Sequence, residues 1–191
     1  MERTGKTNNK ALLVMDIQTR IVGMVKNHDA LIKNIKKALQ HAHNNEIPVI
    51  YVAVQFREGF PEVSSQNKSF SAIKTMQGAF ANAEQTGIFK EVAPHNNDII
   101  VVKKRVSAFT GSDLEVLLRS LEVKELVLCG IATSGVVLST IREAADKDYQ
   151  LTVLSDCCAD SDKEVHEVLL TKVFPRQAAV VTVEEWTTHN Q

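Results

Sequence analysis

Six short apolar runs, most of them followed by a stretch of helical periodicity, constrain this chain of 191 residues more than any other feature. The first, Ala11 to Asp16 (ALLVMD), meets no polar residue until its last position. A half-exposed strand alternates apolar and polar side chains, so a continuous run indicates a strand covered on both faces, as in the middle of a parallel sheet. Ile47 to Val54 (IPVIYVAV) is β-branched and unbroken after its proline, and reads the same way. Asp98 to Lys103, Glu125 to Cys129, Leu151 to Ser155 and Ala178 to Thr182 complete the set.

The intervening segments carry the helical period. Asp29 to Asn45 places Leu31, Ile32, Ile35, Ala38, Leu39 and Ala42 on one face, as an amphipathic helix requires. Ser112-Asp113-Leu114-Glu115 spells a capping box for a helix to about Leu121, and Ser161 with Glu164 spells another for Ser161 to Val173, because hydroxyl and carboxylate can each satisfy an orphan amide. Gly135 to Asp148 is a further predicted helix. Strand and helix alternate without internal repeats, and each crossover suits a right-handed βαβ unit. The expectation is a single α/β domain, a doubly wound, six-stranded, mainly parallel sheet with helices on both faces. Such sheets bind ligands beyond the carboxyl ends of their strands, where strand order reverses.

Composition bounds the partners. With 44% hydrophobic residues the chain can bury one sizeable core, expected over residues 11–187 between a disordered polar lead-in (1–10) and a short tail (188–191). The formal charge of −1, with both signs interspersed, offers no basic face for nucleic acid or lipid. A small-molecule ligand is the expected partner. The lead-in lacks the apolar core of a secretory signal, and no apolar run approaches the ~20 residues of a membrane span. Three cysteines, Cys129, Cys157 and Cys158, do not make a disulfide framework, and a reducing cytoplasm fits them best. His41 and His43 are too closely spaced to share a helical face, and no Cys-x-x-Cys occurs; neither metal nor cofactor is expected. Residues 55–97 form a stretch longer than a simple connection, which marks it as functional. Its Phe56, Phe60, Phe70, Phe80 and Phe89 are expected to line a pocket or a subunit contact.

Three features fall on the carboxyl edge of the expected sheet: Asp16, Lys103 and the turn from Thr133 to Val136. Burial would raise the pKa of Asp16 unless a cation compensates. Lys103, Lys104 and Arg105 all compete for that part on spacing alone, and a plain structural ion pair fits the same positions.

The blocks Leu13-Val14-Met15-Asp16-Ile17-Gln18, Val102-Lys103-Lys104-Arg105-Val106-Ser107-Ala108-Phe109 and Gly130-Ile131-Ala132-Thr133-Ser134-Gly135-Val136 resemble successive motifs of the isochorismatase-like cysteine hydrolases. Ser139 to Ala145 and Ser155-Asp156 extend the likeness, which runs from about Ala11 to Trp186. The resemblance implies a Rossmann-type strand order and a catalytic Asp, Lys and Cys. By its register the lysine is Lys103, the aspartate is Asp16, and the cysteine position is occupied by Val136. It also implies a cis peptide between Ile131 and Ala132, with the amides of Ala132 and Val136 forming an oxyanion nest. Gln18, Phe109 and Thr133 are further substrate-binding candidates from the same blocks. Homodimers or homotetramers are common in the family.

Valine has neither a lone pair nor a proton to give, which excludes thioester chemistry at position 136. Loss of a covalent nucleophile costs about a millionfold by the serine protease precedent. Ser134 reads as a helix cap, Cys158 lies past the fifth strand, and Cys129 reads as strand packing. The family's metal-bearing nicotinamidases carry Asp-x-His where this chain has Gln55-Phe56-Arg57-Glu58. Gln55 and Arg57 are candidates for holding a substrate carboxylate, with an ordinary surface arginine as the competing explanation. Two functions follow: a hydrolase using Asp16 as acid or base on a substrate such as a vinyl ether, as isochorismatases do, or a catalytically silent ligand-binding or oligomeric homologue.

Overall fold

The computed structural model describes residues 9–75 and 87–188. Six strands form one sheet in the order β3-β2-β1-β4-β5-β6: β1 (Lys10–Met15), β2 (Val49–Val54), β3 (Ile99–Lys103), β4 (Glu125–Ile131), β5 (Gln150–Ala159) and β6 (Ala179–Val181). Every neighbouring pair is parallel. The chain winds outward from β1 to β3, crosses back, and winds the other way from β4. The order therefore reverses between β1 and β4, and a cleft opens beyond their carboxyl ends.

β1 explains why an unbroken apolar run was required. Ala11, Leu13 and Met15 enter the core on one face of the sheet, while Leu12 and Val14 enter the core on the other, as the two-residue period of a strand dictates. The helix Asp29–Asn44 buries Leu31, Ile32, Ile35, Ala38, Leu39 and Ala42 on the second face. The helices Leu114–Ser120 and Leu138–Asp146 cover the first with Leu114, Leu118, Ile141 and Ala144. Fully burying a side chain the size of Leu or Ile contributes about 1.5–3 kcal/mol. β4 crosses β1 closely at Gly130, whose φ is +155° and where a Cβ would stand 2.3 Å from the Met15 carbonyl oxygen. Only glycine fits there.

Several local expectations are corrected. The capping box at Ser112 forms only in part: the Ser112 hydroxyl accepts from the Leu114 amide at 3.3 Å while donating to the Ala108 carbonyl at 2.6 Å, but Glu115 pairs with Lys147 at 2.7 Å rather than reaching back. A charge-assisted bond to a neighbouring helix wins over a local cap. The second box is also displaced. Asp162, not Ser161, caps the helix Lys163–Val168, accepting from the amides of Glu164 and Val165. β5 runs to Ala159 rather than stopping at Ser155, because it follows β4 across a register shift between Leu128 and Gly130. The helix expected from Gly135 is interrupted at that glycine (φ −97°, ψ −106°), leaving a wide turn, Thr133–Val137, before Leu138–Asp146 begins. Lys10, assigned to the lead-in, already belongs to β1 and pairs with Glu125 at 3.2 Å. At the other end the helix Val183–Thr188 extends one residue into the expected tail. The rest of the lead-in up to residue 8, the final three residues and Phe80 lie outside the described residues. No described helix is long and apolar enough to cross a membrane.

Candidate active site

β1 ends at Met15, and Asp16 follows in a left-handed conformation (φ 55°), with its amide donating to the Val52 carbonyl at 2.8 Å. β3 ends at Lys103. The strand between them, β2, does not keep them apart, since the Lys103 ammonium reaches Asp16 Oδ2 at 2.9 Å with both side chains buried. The same ammonium donates to the carbonyls of Arg105 and Val106, each at 3.0 Å. Its three protons are thereby all engaged. The competitors are engaged elsewhere: Lys104 with the Gln55 carbonyl at 2.6 Å and Arg105 with the Glu62 carbonyl at 3.0 Å.

Asp16 is left with a free oxygen. Oδ1 is buried and has no hydrogen-bond partner among the described residues. Burial raises the Asp16 pKa more than the charge and hydrogen bond of Lys103 lower it, so the carboxyl is pushed up from 3.8 to about 6. Desolvation outweighs a close cation because burial strips the carboxylate of most of the hydration that would stabilise its charge.

Asp16 and Lys103 share a cavity of about 250 Å³ with Ala132, Gly135 and Val136 of the wide turn. The Ile131–Ala132 peptide is cis. Val136 is 2% exposed and contributes to that wall a hydrocarbon surface where the family resemblance places a thiol. Ile21, Met24, Val25, Val54, Phe70, Val106, Ile131 and Ser161 complete the lining.

The remaining candidates lie elsewhere. Gln18 is fully buried and clamps the end of β2, donating through Nε2 to the Val54 carbonyl at 3.1 Å and accepting from the Val54 amide at 2.9 Å. That is a structural role, extending the ladder by one side chain. Gln55 is exposed. Arg57 does not reach the cavity; it is exposed and pairs with Glu62 at 2.7 Å. Phe109 belongs to the core, stacked on Tyr149 with ring centroids 6.1 Å apart. Thr133 is fully buried, its hydroxyl 2.8 Å from His166 Nδ1. Of the phenylalanines, Phe70 lines the cavity, Phe56 and Phe60 pack in the cluster around it, and Phe89 stands edge-on to His28.

Substitute nucleophiles are not provided by the cysteines. All three are buried free thiols; none lines the cavity, and burial pushes the Cys158 thiol up to about 12 and Cys129 well above its ordinary value. The Ser134 amide donates to Asp160 at 2.7 Å, and the hydroxyl also bonds to that carboxylate, both lowering its pKa. Asp160 escaped the sequence reading, Ser161 entered it only as a helix cap, and His166 escaped it too. The segment after β5 packs on the wide turn through the first and last of these and contributes Ser161 to the cavity wall. The Ser155-Asp156 block was the nearest signal, but it stops short of them. Among the described residues no group of His, Cys, Asp and Glu is arranged to hold a metal ion.

The profile of the isochorismatase domain matches residues 10–185. The isochorismatase family protein YaaI of Bacillus subtilis is 29% identical over 182 residues, covering 93% of this chain and 95% of that protein. YwoC of the same organism is 30% identical over 178 residues, covering 92% and 91%. Among solved structures, a cysteine hydrolase from Pseudomonas syringae pv. phaseolicola matches with a TM-score of 0.87 at 24% identity, over 98% of this chain and 94% of that one. Likeness at that identity speaks for the fold, and an isochorismatase family protein from Burkholderia thailandensis agrees, with a TM-score of 0.81 at 26% identity over 94% of both chains. With a domain match that runs from the first strand to the last helix, the chain belongs to the isochorismatase-like hydrolase family.

Proposed function

We propose that this protein hydrolyses a small molecule without covalent catalysis, with Asp16 as the acid–base group and Lys103 as its fixed counter-ion. The observation that carries this reading is the unpartnered, buried Oδ1 of Asp16 in the wall of an open cavity. A carboxyl at about 6 holds both protonation states near neutrality, which is the condition for efficient proton transfer. On a vinyl ether, protonated Asp16 would deliver its proton to the terminal alkene carbon. Water then adds to the resulting oxocarbenium carbon, and collapse of the hemiketal yields an alcohol and a carbonyl compound. Lys103, already bonded to Oδ2, steadies the carboxylate left behind, and that carboxylate recovers a proton from the attacking water. The amides of Ala132 and Val136 serve in this proposal as an oxyanion nest.

The competing reading, a silent homologue that binds a ligand or oligomerises, is favoured by Val136 itself. A packed-over site would support it further, whereas the cavity beside Asp16 and Lys103 supports catalysis. The proposal includes a cytoplasmic homodimer or homotetramer, in keeping with three unpaired thiols and the family resemblance. The test is a screen of amides, esters and vinyl ethers with the wild type and Asp16→Ala. Turnover that disappears with the carboxyl supports the hydrolase; turnover unchanged by the substitution removes Asp16 from the mechanism, and no turnover of any class leaves the silent homologue.

A further inference from the structure

We propose that the cavity selects an uncharged, largely apolar molecule that offers one hydrogen-bond donor to Asp16 Oδ1, and that it rejects carboxylates. This deepens, and rests on, the reading of the cavity as the ligand site.

The charge inventory of the wall is the basis. Lys103 is its one cation among the described residues, and all three of its protons are taken, by Asp16 at 2.9 Å and by two carbonyls at 3.0 Å. With Asp16 ionised, as at pH 8, it and Lys103 therefore form a neutral, closed pair. Three cations of the segments after β2 and β3 are committed too. Arg57 pairs with Glu62 at 2.7 Å, Lys104 is bound to the Gln55 carbonyl, and Arg105 lies over the Phe70 ring, 5.8 Å from its centroid, while bonding to two carbonyls.

An anionic ligand would give the cavity a net negative charge among Ile21, Val54, Val106, Ile131 and Val136, with Asp16 Oδ1 as a repelling neighbour. A cationic ligand would meet the ammonium of Lys103 across the same short span. Burying an uncompensated charge in apolar surroundings is costly in either case. An uncharged donor instead satisfies the acceptor that the fold leaves open, and an apolar body fills the hydrocarbon wall.

The test is equilibrium binding to the full chain at pH 8 by ligand-observed NMR, using three probes on one ring: cyclohexylmethanol, its methyl ether and cyclohexanecarboxylate. None of them can be hydrolysed. The alcohol is expected to bind about tenfold or more tightly than the carboxylate and measurably more tightly than the ether. In Asp16→Asn, whose amide can donate as well as accept, the alcohol-to-carboxylate ratio should shrink; the wild-type comparison stands if that variant fails to fold. Equal or tighter binding of the carboxylate, equal binding of the ether, or no binding of the alcohol up to its solubility overturns the proposal. Carboxylate preference with turnover still dependent on Asp16 would sink this inference alone. Alcohol preference without such turnover would sink only the hydrolase reading.

Discussion

The balance at Asp16 can be measured through stability. Raising a carboxyl from 3.8 to about 6 corresponds to about 3 kcal/mol of differential stability, at roughly 1.4 kcal/mol per pH unit. Because the folded pKa lies above the unfolded one, this contribution is fully present below 3.8, where both states are protonated. Between 3.8 and 6 the unfolded chain releases its proton while the folded one retains it, so stability falls, and above 6 the loss is complete. The perturbation is Asp16→Asn, which removes the titration while keeping the shape. Urea unfolding of both proteins from pH 3.5 to 7.5, where each transition is reversible, gives the difference in unfolding free energy at each pH, and other titrating groups cancel to first order. Wild-type stability relative to the variant should drop by about 3 kcal/mol across that range. A flat difference, or one that grows with pH, would mean that Lys103 prevails over burial, and the general-acid role would lose its footing.

Gly130→Ala should cost about 3 kcal/mol or more in chemical unfolding, since its Cβ would meet the Met15 carbonyl at 2.3 Å; a loss under about 1 kcal/mol would show that β1 and β4 can part freely. Val136→Cys is close in volume and should change stability by less than about 1.5 kcal/mol. Under native conditions with iodoacetamide, its mass should gain one adduct through the cavity that residue 136 lines, while the wild type, none of whose thiols lines that cavity, gains none. An unmodified variant would contradict the placement of residue 136 on the cavity wall. Arg57→Ala should leave the affinity for cyclohexylmethanol within about twofold, because an exposed arginine paired at 2.7 Å with Glu62 does not reach the ligand; a larger loss would return Arg57 to the site.

Local chemistry was legible wherever a single segment decides it. The helix around Leu31 and Ile35 and the strand of Leu12 to Met15 appear where their periods placed them, because each buries a face that its own spacing defines. The box at Ser112 formed only in part and the cap at Ser161 was misplaced because a competing partner or cap lay elsewhere: Lys147 for Glu115, and Asp162 at the helix start. Phe109 and Gln18 belong to blocks that resemble catalytic motifs, yet one fills the core and the other ties β1's end to β2. A motif near a site contains scaffold as well as chemistry, and sequence spacing does not separate the two.

The sequence by itself determined the fold class, the convergence of Asp16, Lys103 and the turn at one sheet edge, and the absence of a sulfur at Val136, because apolar periodicity and side-chain identity are properties of the chain. Only the tertiary structure decided that every proton of Lys103 is spoken for, that Asp16 retains one bare oxygen, and that Arg57 turns away. Each of those depends on distances between segments far apart in sequence, and the protonation of Asp16 follows from the sum of burial and charge that such distances set.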